Sequence, residues 1–153
     1  MKVIVSQEQI DKMKSLIDKV GINSLGIAPY RLIEVGLIES YDGSLDLYSS
    51  PIESLGNLKY VSGDLDLRGT PIEDLGLLEE VGGYLFLYDT PIESLGNLKY
   101  VGGDLNLYNT PIESLGNLKY VGGNLYIMDF PFSKLSDKEI RSQIEVKKRI
   151  YKK

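Results

Sequence analysis

Cysteine, histidine and tryptophan are all missing from this chain. Their absence removes disulfides, thiolate nucleophiles, imidazole bases and the usual zinc and haem ligands together. Long hydrophobic runs are missing too. The longest early apolar stretch is Val3-Ile4-Val5, too short for a signal peptide or a membrane span, so the expected location is soluble and cytoplasmic. What remains is a globular balance, 42% hydrophobic and 25% charged over 153 residues, enough for one domain with a packed core.

The formal charge of -5 is unevenly placed. Residues 134–153 hold 8 basic and 3 acidic side chains, whereas residues 1–133 hold 9 basic and 19 acidic, a net of -10. An acidic body argues against a nucleic-acid groove there.

Self-similarity dominates the middle of the chain. Residues 83–102 read GYLFLYDTPIESLGNLKYVG and residues 103–122 read GDLNLYNTPIESLGNLKYVG, identical at 17 of 20 positions. The same period carries back to 63–82 and 43–62 and forward into a partial unit at 123–132. In each unit Leu105 and Leu107, or their equivalents, alternate with polar or aromatic residues, the pattern of a short half-buried strand. Pro111 has no N–H for a ladder and ends the strand. Ile112, Leu115, Leu118 and Val121 follow at spacings of three, which predicts an irregular or 3-10 turn directed inward. Gly122 and Gly123 close the unit, and the second glycine is expected to hold a positive φ. One unit alone buries too little apolar surface to offset the ordering of its backbone, so the units must stack.

The Leu105-x-Leu107-x-x-Thr110-x-Ile112 core resembles the leucine-rich repeat family, with Thr or Ser where that family usually has Asn. The resemblance covers residues 43–132. It implies a right-handed α/β repeat solenoid with a short parallel sheet on one face, helical caps at both ends, and Ser50, Thr70, Thr90 and Thr110 in place of the family's Asn ladder. The opening Met1–Ser6 and the near-perfect repetition also resemble small accessory proteins of tailed bacteriophages, which implies host factors or virion components as partners.

A solenoid exposes its core at both ends, so caps are expected. For the N-terminal cap, residues 1–42, Ser6 and Gln9 read as a capping box and Ile10, Met13, Ile17 and Val20 as a helical stripe ending at Gly21. A second short helix near Pro29 would bring Leu32 and Ile33 inward. For residues 133–153, Ser136 and Glu139 open an amphipathic helix expected to continue through Ile140, Ile144 and Ile150 to the terminus, its cations favourable at the helix C-terminal end.

Function is expected where neighbouring units differ. The 83–102 and 103–122 units differ only at Tyr84 against Asp104, Phe86 against Asn106 and Asp89 against Asn109, on or just after the strand, as a binding surface on a fixed scaffold would. The outward columns run Ser44, Asp64, Tyr84, Asp104, Asn124; then Asp46, Asp66, Phe86, Asn106, Tyr126; then Tyr48, Arg68, Tyr88, Tyr108, Met128. Tyr84, Phe86, Tyr88, Tyr108 and Tyr126, flanked by Asp64, Asp66, Arg68, Asp104 and Asn106, form the expected partner-binding patch, suited to a protein with a basic surface. The alternatives are glycan binding by the same face and self-assembly. Stabilising cross-strand ladders are the structural explanation of the same aromatics. The Tyr60, Tyr100 and Tyr120 ridge with Lys59, Lys99 and Lys119 reads as stacking and solubility. Calcium binding by Asp46, Asp64, Asp66 and Asp104 lacks any known loop spacing, no glycine motif precedes a helix as a phosphate loop does, and paired carboxylates on an open sheet lack a pocket to shift them. Neither a cofactor, a metal nor an enzyme activity is therefore expected.

Overall fold

The computed structural model describes residues 6–21, 25–128 and 134–152. Met1–Val5 and the end of the fifth unit, 129–132, lie outside the described residues. Helix α1 (Gln7–Val20) is opened by the Ser6–Gln9 capping box and closed by Gly21 at φ 77°. Helix α2 (Pro29–Glu34) buries Leu32 and Ile33. The chain then winds into a repeat solenoid of two-residue strands: β1 (Ser40–Tyr41), β2 (Leu45–Asp46), β3 (Tyr60–Val61), β4 (Leu65–Asp66), β5 (Glu80–Val81), β6 (Leu85–Phe86), β7 (Tyr100–Val101), β8 (Leu105–Asn106), β9 (Tyr120–Val121) and β10 (Leu125–Tyr126). Helix α3 (Asp137–Gln143) precedes β11 (Glu145–Val146) and β12 (Ile150–Tyr151).

All pairing is parallel and forms two six-stranded sheets, β1-β3-β5-β7-β9-β11 and β2-β4-β6-β8-β10-β12. The solenoid, its parallel sheet and its terminal helices match the expectation. The second sheet is an addition. It arises because the Tyr-Val or Glu-Val pair closing each unit alternates outward and inward like a strand, and the Gly-Gly or Ser-Gly pair bends the chain before the Leu-x-Leu strand begins. Inward Leu, Ile and Val from every coil form one continuous core.

Each coil's Thr closes its own turn, Thr70, Thr90 and Thr110 donating through Oγ1 to the carbonyls of Leu67, Leu87 and Leu107 at 2.7, 2.6 and 2.9 Å. These bonds stay within a coil, so the Thr column does not form a ladder from coil to coil, and the buried Ser50 hydroxyl makes no hydrogen bond. The Ile-to-Leu segment is an extended turn rather than a helix, tightened by Leu118 N–H donating to the Leu115 carbonyl at 3.0 Å.

The coil-closing glycines correct another expectation. Of this column Gly43 alone has the expected positive φ, 99°; Gly63, Gly83, Gly103 and Gly123 do not, and in the coils that conformation falls instead on Gly56, Gly76, Gly96 and Gly116 and on the column Ser49, Gly69, Asp89 and Asn109. The coil-closing pair is glycine because coils touch through their backbones there: a Cβ on Gly102 would lie 2.0 Å from the Gly82 carbonyl oxygen, and one on Gly103 2.8 Å from the Gly83 carbonyl carbon.

The ends differ from expectation most. Gly36, after α2, occupies the place of a preceding coil's turn: Asn57 Nδ2 donates to its carbonyl at 2.9 Å, as Asn97 does to Gly76 at 2.9 Å and Asn117 to Gly96 at 3.1 Å. The N-terminal cap is thus half a coil in disguise. At the far end the expected helix to the terminus is replaced by the short α3 and two strands, β11 on β9 and β12 on β10. Ile144 ends α3 in extended geometry, φ -136° and ψ 149°, and β-branched Ile144, Val146 and Ile150 suit the sheet better than the helix.

Candidate functional site

The outward face of the β2-to-β12 sheet carries the expected patch. The pairing Leu85↔Leu105↔Leu125 sets residues 84, 104 and 124 in one line and 86, 106 and 126 in the next. Leucines point inward from every strand, so these residues project outward.

Most positions of the first two outward columns hold backbone. In the first column Ser44 Oγ accepts the Asp64 N–H at 3.0 Å, Asp64 Oδ1 the Tyr84 N–H at 2.7 Å, and Asp104 Oδ1 the Asn124 N–H at 2.7 Å; Asn124 Oδ1 in turn accepts from Arg149 N–H at 3.2 Å. In the second column Asp46, Asp66 and Asn106 each accept the N–H two residues on, from Tyr48, Arg68 and Tyr108, at 3.0, 3.1 and 3.0 Å. A short oxygen-bearing side chain is therefore the structural residue at both columns. Tyr84 carries its only side-chain oxygen at the far end of a ring and Phe86 has none, so coil 3 (83–102) gives up the two caps that coil 4 (103–122) makes. Their rings lie side by side, centroids 5.9 Å apart, with Tyr84 44% exposed.

The other predicted residues divide into groups. Tyr88 and Tyr108 pair at 5.9 Å. Tyr126 stacks on Tyr151 at 4.7 Å, nearly parallel at 6°. Burial raises the Tyr126 phenol above its ordinary value, the nearby Asp104 and Tyr151 add to the rise, and a hydrogen bond with Asn124 opposes it. Arg68 is held by Asp66, whose carboxylate takes both Nε and Nη2 and raises the guanidinium pKa. Its Cζ lies 5.3 Å from the Tyr48 ring centroid and 5.2 Å from that of Phe86, within cation–π range. The arginine cation is thus largely answered by this chain's own residues, which leaves Asp46, Asp64 and Asp104 to set the face's sign. The third varying position is structural: Asp89 and Asn109 sit at φ 59° and 51°, the left-handed region that Asp and Asn tolerate best after glycine.

Two contributors escaped the sequence reading. Tyr48, 60% exposed, was placed in its column but not in the patch, and it walls one side of Arg68. Tyr151 lies 25 residues after its partner Tyr126, so a search at a period of 20 misses it; only the stack reveals it.

The opposite sheet behaves as a stabilising ridge. Tyr100 and Tyr120 stack at 4.7 Å and 3°, Lys147 lies 5.8 Å over Tyr120, and Lys99 pairs with Glu79 at 2.8 Å. An open apolar cleft of about 630 Å³ lies beside α1, lined by Ile10, Met13, Leu16, Val35 and Leu37. Among the described residues no cluster of three or more acidic side chains is placed to hold a metal, and no helix is long and apolar enough to cross a membrane. Comparison with known proteins finds no matching family model, no matching curated protein and no matching solved structure.

Proposed function

We propose that this chain is a non-enzymatic recognition module, a leucine-rich-repeat-like scaffold that holds a protein partner against Tyr84, Phe86 and the aromatic side chains around them. One observation carries the reading. At two adjacent outward positions, both on coil 3, the backbone-capping residue is replaced by a large aromatic that makes no cap. A local structural rule broken twice in one place, with only the Phe86–Arg68 and Tyr84–Phe86 contacts in exchange, is the mark of a site kept for another purpose. Exposed tyrosine and phenylalanine beside Asp and Asn supply rigid contact area with adaptable hydrogen bonding.

The test exploits the repeat. Tyr84→Asp with Phe86→Asn rewrites coil 3 with the residues of coil 4 and restores both caps. Each restored bond is expected to add about 1 kcal/mol of stability in urea melts. The same variant is expected to lose the partner that immobilised wild type draws from a bacterial lysate, the source that the phage-like features favour. Equal capture by both proteins overturns the reading.

A further inference from the structure

We propose that the partner enters this face as an arginine side chain, seated over coil 4 between the aromatic walls of coils 3 and 5; the inference rests on the recognition reading above. Coil 4 is low where its neighbours are tall. Along one line Phe86, Asn106 and Tyr126 follow one another on β6, β8 and β10, and along the next Asp104 succeeds Tyr84. Parallel strands lie about 4.8 Å apart, so the two walls stand about 10 Å apart and a group midway between them is about 5 Å from each. That is the distance at which a planar cation is attracted by two rings at once.

The protein already contains one such arrangement. Arg68 on coil 2 lies between Tyr48 of coil 1 and Phe86 of coil 3, at 5.3 and 5.2 Å, with the Asp66 carboxylate beneath it. Two coils on, the register sets Tyr88, Asn106, Tyr108 and Tyr126 where Tyr48, Asp66, Arg68 and Phe86 stand, so coil 4 contributes no cation and Tyr108 leans back on Tyr88 instead; the space over Asn106 keeps Phe86 and Tyr126 on either side, and the carboxylate beside it is Asp104 of the adjoining column. Asp104 Oδ1 and Oδ2 each accept one bond from Asn124, at 2.7 and 3.1 Å, and a carboxylate has about four acceptor sites, so about two stay open to a guanidinium. Arginine fits better than lysine because its planar fork both stacks between rings and meets a carboxylate with two donors.

The experiment titrates the isotope-labelled full chain by NMR with a capped peptide of two arginines spaced by glycine, and with its lysine counterpart. The arginine peptide is expected to move the amides of residues 104–108 and to bind about tenfold more tightly than the lysine peptide. Asp104→Asn keeps an oxygen for the Asn124 N–H but removes the charge, and Phe86→Asn removes one wall; each is expected to weaken the arginine peptide about tenfold. Equal affinity for the two peptides, or indifference to both substitutions, overturns the inference. So does a response of the same amides to a maltooligosaccharide but not to the arginine peptide. If the peptides fail to discriminate while Tyr84→Asp/Phe86→Asn still loses the lysate partner, the arginine is wrong and the recognition face stands. If that variant keeps its partner, the face itself is wrong.

Discussion

Gly82, Gly102 and Gly122 bring successive coils into backbone contact, each leaving room only for hydrogen where a Cβ would meet a carbonyl oxygen at 2.2, 2.0 and 2.1 Å. Because the obstacle is backbone in a hydrogen-bonded stack, it cannot swing aside as a long side chain would. Gly102→Ala is expected to cost about 3 kcal/mol or more in urea melts. Asp89→Asn, which installs the coil 4 residue at a left-handed position both types tolerate, should stay within about 0.5 kcal/mol of wild type. Periodicity showed that glycine recurs where each coil closes, and for the second glycine of each pair it suggested the wrong reason, since a repeat reports recurrence and not φ. The outward parity of Tyr84, Phe86 and Asp104 was equally legible, because alternation alone fixes it. The caps made by Asp64 and Asp104 were not, since each joins a side chain to an N–H one coil away, and the ladder shows only once the coils are stacked. With it hidden, Tyr84 and Phe86 looked merely different from their neighbours; with it visible, they are residues that leave out the cap their neighbours make.

At the scale of elements, the ends of the sheets are where pairing stops and substitutes begin. The free carbonyls in and just after β11 are met by Arg141 of α3, whose guanidinium donates to Val146 and Lys148 as a further coil's N–H groups would. Removing it leaves the edge strand without that clamp. Arg141→Met is expected to speed amide exchange at Glu145 and Lys147, which donate to Lys119 and Val121, by about tenfold or more, since a hydrogen bond from a charged group contributes about 1.5–3 kcal/mol. The cap of α3 has its own pH dependence. Glu139 accepts from the Ser136 hydroxyl and backbone N–H, both at 2.7 Å, and these bonds, with Lys152 nearby, lower its pKa from the ordinary 4.5. A lowered carboxylate pKa gives stability that is fully present above the unfolded value and lost as pH falls through the folded value. The Ser136 amide is therefore expected to stay protected at neutral pH and to lose protection below pH 4.5. The capping boxes of α1 and α3 were readable because they lie within four consecutive residues. The half-coil around Gly36 and the strands β11 and β12 were not: the first keeps little but its glycine in phase, and the second follow a coil lengthened to 25 residues by α3.

At the scale of the whole molecule, almost every long-range bond links a residue to the one a coil away, so stability accumulates coil by coil along the axis. In-frame deletion of residues 103–122 joins Gly102 to Gly123 in the register their own neighbours already use. The shortened chain is expected to fold, with a urea m-value reduced in proportion to the surface lost. The deletion also sets Tyr126 directly beside Phe86, removing the low coil between the walls. The arginine peptide should then bind no better than the lysine one, although every wall residue is still present; retained discrimination would show that spacing is not what selects the ligand.

Coils 3 and 4 are interchangeable inside and distinct outside, and this has a consequence for how such a chain changes over generations. Copying or losing one unit in frame inserts or removes a whole turn together with its backbone partners and its glycine contacts, while the two capped ends stay as they were. The length of the molecule is then free to drift without a new core being invented. Each added turn arrives as a blank line on the face, on which one or two substitutions can write a new contact.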